Sequence, residues 1–382
     1  MVTNWTGVRI RARVAVIVAV ATALFSGSAI PAASIAGAQA RVIVPRATEM
    51  PRWALGEPYA LALNGSDLFI ASCARLDGPG SITEVDTSTG ALVRVIAGTS
   101  YQFGCPQALA ISTGDLFVTG GPRSVTELNA VTGALVRVIS GPAYRFDHPG
   151  AMVTNGKVLF VANVDPVEVL RTSVTELNAL TGALVRVIAG PKYQFVVPKS
   201  LALSGRELFV GSGYGDSVTE VDASTGALVR VMSSTKYQFG PPEPLALAGA
   251  DLFVAGWDGD IPDNGDSVTQ VDASTGALTR VIHGSRYHFN HPDALAVNGP
   301  DLFVANFYGA LHGDGSVTEI DAPTGALVRV ISGARTGFDQ PVALAPMPPD
   351  LFVAGYEPVH HRGSVTEIDA STGAVVRVIS GP

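Results

Sequence analysis

The sequence predicts an all-β fold, a seven-bladed β-propeller of four-stranded antiparallel blades, and three observations carry the prediction. The stretch Ser217-Val-Thr-Glu-Val-Asp-Ala-Ser-Thr-Gly-Ala-Leu-Val-Arg-Val231 has seven copies along the 382 residues. Every copy closes a unit of four short apolar segments separated by turn residues. None of these segments shows the 3.6-residue apolar spacing of a helix.

The repeat sets the frame. The glycine of its Thr-Gly pair falls at Gly90, Gly133, Gly182, Gly226, Gly276, Gly325 and Gly373, with spacings of 43, 49, 44, 50, 49 and 48 residues. A period in this range signals an array or a propeller. Each unit opens at a proline: Pro58, Pro106, Pro149, Pro198, Pro242, Pro292 and Pro341. Next comes an Ala-Leu-Ala-Leu segment, as at Ala60 to Leu63, then a polar turn such as Asn64-Gly65, then Asp67-Leu-Phe-Ile-Ala71. A loop of variable length leads to Ser81-Ile-Thr-Glu-Val-Asp86, the turn to Gly90, and Ala91-Leu-Val-Arg-Val-Ile96. Short β-branched runs bounded by such turns read as strands and hairpins. An Asp or Asn at the turn's entry can accept from its own backbone two residues on, and Gly at its end tolerates positive φ. Strands such as Leu252-Phe-Val-Ala255 are apolar at consecutive positions, so both sheet faces must be covered. Blades packed face to face around an axis achieve this. A solenoid is the rival, yet the last unit ends in a full Ala374-Val-Val-Arg-Val-Ile379 rather than an atypical cap.

The remaining chain divides simply. Residues 1–40 hold Arg9, Arg11 and Arg13, an apolar run from Val14 to Phe25, and Ala38-Gln39-Ala40. That order reads as a cleavable signal peptide, and the run is shorter than the roughly 20 residues a membrane-spanning helix needs. Residues 41–57 are a lead-in and 58–382 the propeller. Cleavage moves the formal charge from -8 to -11, with 22 Lys and Arg against 33 Asp and Glu. This is the wrong sign for a nucleic-acid partner. The expected product is secreted, extracellular or in the cell envelope, with no membrane span, and monomeric.

The pattern resembles secreted propellers of the YVTN and NHL-like type. There a Pro-led inner strand, a Leu-Tyr/Phe-Val-Ala strand and a Val-x-x-x-Asp-x-x-Thr-Gly hairpin recur, and the likeness covers residues 58–382. It implies the architecture, and members include scaffolds, binding proteins and a few lyases. The Asp-Ala-Ser-Thr-Gly turn also looks like that of quinoprotein propellers, but the tryptophan that follows the turn there is Val or Thr here. That departure speaks against a quinone cofactor.

Alternating strand direction places the near-invariant turns on one face and the divergent second-to-third loops and blade connections on the other. Recognition belongs on the divergent face. The position after each leading proline, near the central channel's mouth, reads Tyr59, Gln107, Gly150, Lys199, Glu243, Asp293 and Val342. Tyr59, Gln107, Lys199, Glu243 and Asp293 are the candidate ligand-binding residues. The loop from Gly256 to Asp266 offers Asp258, Asp260, Asp263 and Asp266, the oxygen-rich composition that suits Ca²⁺; its structural alternative is a solvated acidic loop. Cys73 and Cys105 are the two cysteines of a secreted chain and are expected to pair.

Glu84 to Glu367 on third strands (Gln270 in unit five) and Arg94 to Arg377 on fourth strands repeat in every unit, which points to cross-strand pairing rather than catalysis. The Tyr-x-Phe pairs from Tyr101 to Phe289 read as wedges between blades, and the seven histidines as surface residues. No hydrolase elbow or phosphate loop is present, so no catalytic residue is assigned. Arg41-Val-Ile43 copies the Arg-Val-Ile of each fourth strand and competes for the last blade's outer place. The C-terminal strand should win it because its hairpin loop is short. The expected function is binding or scaffolding, without catalysis, of an extracellular protein, peptide or glycan on the divergent face. The alternative is a lyase or hydrolase with a metal-assisted site at the channel mouth, served by Glu243, Asp293 and nearby histidines.

Overall fold

Seven four-stranded antiparallel sheets follow one another along the chain, spanning residues 57–97, 108–140, 149–189, 198–233, 242–283, 292–332 and 341–380. They are seen in a computed structural model that describes residues 55–74, 79–164, 172–233, 236–257, 266–308, 315–333, 335–357 and 361–380. Strand order within each sheet is chain order. First strands of adjacent blades pack on one another, blade seven on blade one included, so the ring is closed around them. Among the described residues the only helical turns are four three-residue 3₁₀ segments.

Burial follows from the sequence pattern. In blade one the second strand, Asp67–Cys73, lies between the first, Glu57–Asn64, and the third, Gly80–Asp86. Phe69 and its equivalents Phe117, Phe160, Phe209, Phe253, Phe303 and Phe352 are fully buried. Each contributes about 2 to 3 kcal/mol of apolar transfer. The fourth strand, Leu92–Ala97, is the rim of the disc and leaves Val93 and Val95 exposed.

The Thr-Gly turns show why their residues recur. In blade four the Asp222 carboxylate accepts the backbone N–H groups of Ser224 and Thr225, both at 2.9 Å, and both hydroxyls. Gly226 closes the turn at φ 73°, where a Cβ would also lie 2.9 Å from Cδ of Arg186 in the preceding blade. That Arg186 belongs to a clamp between blades. Its guanidinium lies 2.7 Å from the buried Glu176 of its own blade and donates to the Ser224 carbonyl of the next blade's turn. The same double contact runs from Arg94 to Val131, Arg137 to Leu180, Arg230 to Ser274 and Arg329 to Ser371. At the ring's seam Arg377 pairs with Glu367 and donates to Ser88 of blade one at 3.1 Å. Blade five alone substitutes Gln270 opposite Arg280, which still reaches Pro323.

The Tyr-x-Phe wedges also stand between blades. Their rings stack at 5.0 to 5.3 Å. The Tyr193, Tyr237 and Tyr287 hydroxyls donate to the glycine carbonyls of the next blade's Thr-Gly turns. Among the described residues ring closure follows the same rules without exchange of strands: Val375–Ser380 is the fourth strand of blade seven. Gly363 donates its N–H to the Leu55 carbonyl across the seam. Arg41 to Ile43 lie outside the described residues.

Arg329 and Arg280 therefore form an internal control. Arg329→Ala leaves the Glu319 carboxylate buried without its partner and should lower stability by about 3 kcal/mol at pH 8. Arg280→Ala leaves a neutral Gln270 and should lower it by about 1 kcal/mol. Denaturant unfolding of both variants checks the difference, which should narrow at pH 5 as Glu319 takes up a proton.

Stability should also depend on pH in two opposed ways. Burial pushes the clamp carboxyls up, Glu220 to about 6 and Glu319 to about 7, from the usual 4.5. The folded chain then binds more protons than the unfolded chain between pH 4.5 and 7, so stability falls as pH rises through that window. Hydrogen bonds from Ser and Thr hold the turn carboxyls of Asp86, Asp222, Asp272, Asp321 and Asp369 below the usual 3.8. Their stabilisation is present above pH 3.8 and is lost as pH falls below it. Melting temperatures measured from pH 3 to 8 should peak near pH 4 to 5.

Candidate functional site

The strand register explains what happens at the channel mouth. Proline brings no N–H to the ladder, and after Pro58, Pro198, Pro242, Pro292 and Pro341 the pairing slips by one residue. Such a bulge re-aims the inserted side chain. Tyr59, Lys199, Asp293 and Val342 all occupy this position and are 6%, 5%, 4% and 5% exposed. The expected polar rim is thus covered rather than open to solvent. Gln107 is half-buried and donates to the Cys105 carbonyl at 3.3 Å. Of Glu243 only the backbone is described.

Around these positions three groups form. In the first, His291 precedes Pro292 at φ 55° and places its Nδ1 2.9 Å from the Asp293 carboxylate. Asp266 accepts the backbone N–H of His291 at 2.6 Å. The imidazole is enclosed by aromatic rings: Trp257 at 4.5 Å, Phe307 at 5.4 Å and Tyr308 at 5.7 Å between centroids. Phe307 in turn meets Tyr356 of blade seven and packs with Val342. His291 therefore departs from the expectation of surface histidines; its side chain is 17% exposed.

The second group lies at the seam. Glu57 is buried, accepts the Tyr59 hydroxyl at 2.9 Å and contacts Nδ1 of the half-exposed His361 from blade seven. The third is in blade four, where the buried Lys199 places its ammonium 5.7 Å from the centroid of the exposed Tyr214 ring.

Of the four candidate Ca²⁺ ligands, Asp258, Asp260 and Asp263 lie outside the described residues. Asp266 is engaged with the His291 backbone. Among the described residues no three His, Cys, Asp or Glu side chains are grouped to hold a metal ion.

One feature escaped the residue-by-residue reading. The position that follows the Phe-Val-Ala-x run of each second strand reads Cys73, Gly121, Val164, Gly213, Trp257, Phe307 and Tyr356 around the ring. It is aromatic in three consecutive blades and small or aliphatic in the other four. Comparing the seven units column by column reveals the asymmetry, whereas their consensus averages it away.

On the non-aromatic side Cys73 and Cys105 form a disulfide, with Cα atoms 5.2 Å apart. It joins the end of blade one's second strand to the segment leading into blade two.

No family profile and no curated protein matches the chain. Among solved structures, the computationally designed Ika8 protein is similar in fold, with a TM-score of 0.60 at 18% identity, covering 86% of this chain and 90% of that one. At this identity the likeness shows the architecture alone.

The disulfide closes a 32-residue separation. In the chain-entropy model that contributes about 3 to 4 kcal/mol. A Cys73→Ser, Cys105→Ser double variant should therefore melt several degrees lower than the oxidised protein, and reductant should move only the latter.

Proposed function

We propose that the protein is a secreted binding or scaffold propeller that recognises a protein, peptide or glycan with its variable-loop face, centred on the channel mouth in blades five to seven. The observation that carries the reading is the contrast between the two faces. On the Thr-Gly face the turn carbonyls are engaged in holding blades together and the turn carboxylates in fixing the turns themselves. The opposite face breaks the seven-fold repetition, with an aromatic arc on one side and a disulfide on the other. A single binding site needs such asymmetry. Secretion rests on residues 1–40, outside the described residues, and on a disulfide suited to an oxidising compartment. The repeat motifs support assignment to the YVTN and NHL-like type.

A second reading, a metal-assisted lyase or hydrolase at the same mouth, has the His291 and Asp293 pair in its favour. Selecting ligands from glycan and peptide arrays, then mapping the bound complex by hydrogen exchange, separates the readings. Protection should fall on the blade connections and second-to-third loops, and should survive chelator. Protection of the Thr-Gly turns refutes the proposal, and binding or turnover that chelator abolishes favours the enzyme.

A further inference from the structure

We infer that the Thr-Gly face of blades two and three is a self-association surface, on which a second copy of this chain docks about a two-fold axis. The contact goes beyond the proposed function and does not use the channel mouth.

The first observation is a local departure from the repeat. Two residues after the entry of the Thr-Gly turn stand Ser88, Ser224, Ser274 and Ser371 in blades one, four, five and seven and Pro323 in blade six, but Val131 in blade two and Leu180 in blade three. Each of those serines donates its hydroxyl to the entry Asp at 2.6 to 2.8 Å. Val131 and Leu180 give that bond up and are 69% and 65% exposed, the highest values among the large apolar side chains of the described residues. Only their backbone carbonyls serve the joints, held by Arg94 and Arg137. A single exposed apolar residue is ordinary. Two at the same repeat position in adjacent blades, each standing where other blades bond their turn, break the local rule without a gain for the fold.

Charge changes at the same place. In five blades the start of the second strand and the entry of the Thr-Gly turn set two carboxylates opposite one another, as Asp67 with Asp86 and Asp301 with Asp321. Blade two keeps one, Asp115 opposite Asn129, and blade three has none, Val158 standing opposite Asn178. Asn129 and Asn178 still accept the backbone N–H groups of Thr132 and Thr181 at 2.9 Å, so the turns keep their form and lose only the charge. The exposed Lys157 beside Val158 adds a cation.

Together these features select the occupant. The chain's formal charge is -8, so two copies repel wherever their acidic blades meet. Blades two and three are the sector of this face where both copies are apolar and relieved of carboxylates. A two-fold contact there is self-complementary, because each copy offers the same patch. Two prominent side chains are few against the roughly 20 residues a side of a stable interface. The dimer is therefore weak and reversible, and the monomer expected from the sequence prevails at low concentration. Pairing through this face leaves both variable-loop faces free, so a dimer presents two copies of any site they carry. That consequence alone rests on the proposed function.

Sedimentation velocity of the oxidised protein freed of residues 1–40, over a hundredfold range of concentration, tests the inference. The sedimentation coefficient should rise with concentration toward that of a dimer, and more readily in sodium chloride, which screens the repulsion between acidic copies. A Val131→Ser, Leu180→Ser double variant, carrying the residue that blades one, four, five and seven use, should raise the dissociation constant at least tenfold without lowering the melting temperature. Val93→Ser, at an exposed rim position, should change it less than twofold. Near-ultraviolet circular dichroism confirms that both variants fold. Amide hydrogen exchange should slow with concentration at residues 129–134 and 178–183 and not at 272–277. A monomer throughout, association that salt weakens, equal sensitivity to Val93→Ser, or a double serine variant that dimerises as well as its parent overturns the inference. Ligand mapping compares bound and free protein at one concentration, so self-association and the proposed recognition face stand or fall separately.

Discussion

The ring depends on one contact repeated between blades: a guanidinium that faces a buried carboxylate in its own sheet and a turn carbonyl in the next. Sheet packing alone is non-directional and would let adjacent blades slide or tilt. The arginine removes that freedom because its fork has fixed geometry and two anchors in different blades. The turn it reaches must present its carbonyl at one place. Its own Asp or Asn, its hydroxyls and its positive-φ glycine fix that place. Clamp and turn are thus one device, and a change in either is felt by two blades.

This coupling accounts for how variation is distributed around the molecule. The Thr-Gly turns are short because they are joints, and a longer turn would move the carbonyl away from the neighbouring arginine. On the opposite face the blade connections share that duty through the Tyr-x-Phe wedges. The second-to-third loops need only rejoin two strands of one sheet, so their lengths and residues can differ from blade to blade. The second strand ends there as well. Its following position takes Trp, Phe or Tyr in three blades while Cys73 occupies it in blade one. Function can be added to that face without disturbing the joints.

The same distinction decides what could be read from the sequence. The blade count, the four-strand unit and the pairing of Glu with Arg were legible because each repeats with a fixed spacing. The disulfide was legible from cysteine count and the topology of the divergent face. The onward reach of Arg186 to Ser224 was not, because it depends on how neighbouring sheets stack, and sequence spacing within one blade carries no information about that. The burial of Lys199 and Asp293 was hidden for a related reason. Both are polar residues beside a proline and read as rim, yet the one-residue bulge turns them under cover. His291 read as a surface histidine because its aromatic neighbours come from two stretches of chain distant from it in sequence, Trp257 and Phe307-Tyr308.

Closure is where the clamp meets its hardest test. Sharing a blade between the two ends of the chain makes ring opening require the unpairing of a strand. Here blade seven is complete from C-terminal residues, so the seam holds by side chains and a few backbone contacts: Arg377 on Ser88, Gly363 on Leu55, and His361 on Glu57. The disulfide ties blade one to the start of blade two and does not cross the seam. Among the described residues, opening at the seam therefore breaks no β ladder and no covalent bond, and it exposes one blade face on each side. The apolar area of those two faces, with Phe352 on one blade and Leu61 and Ile70 on the other, supplies most of the resistance. The arginine sets the register in which those faces meet. Directional clamp and apolar contact act together at this junction, the one fixing how the faces meet and the other supplying their attraction.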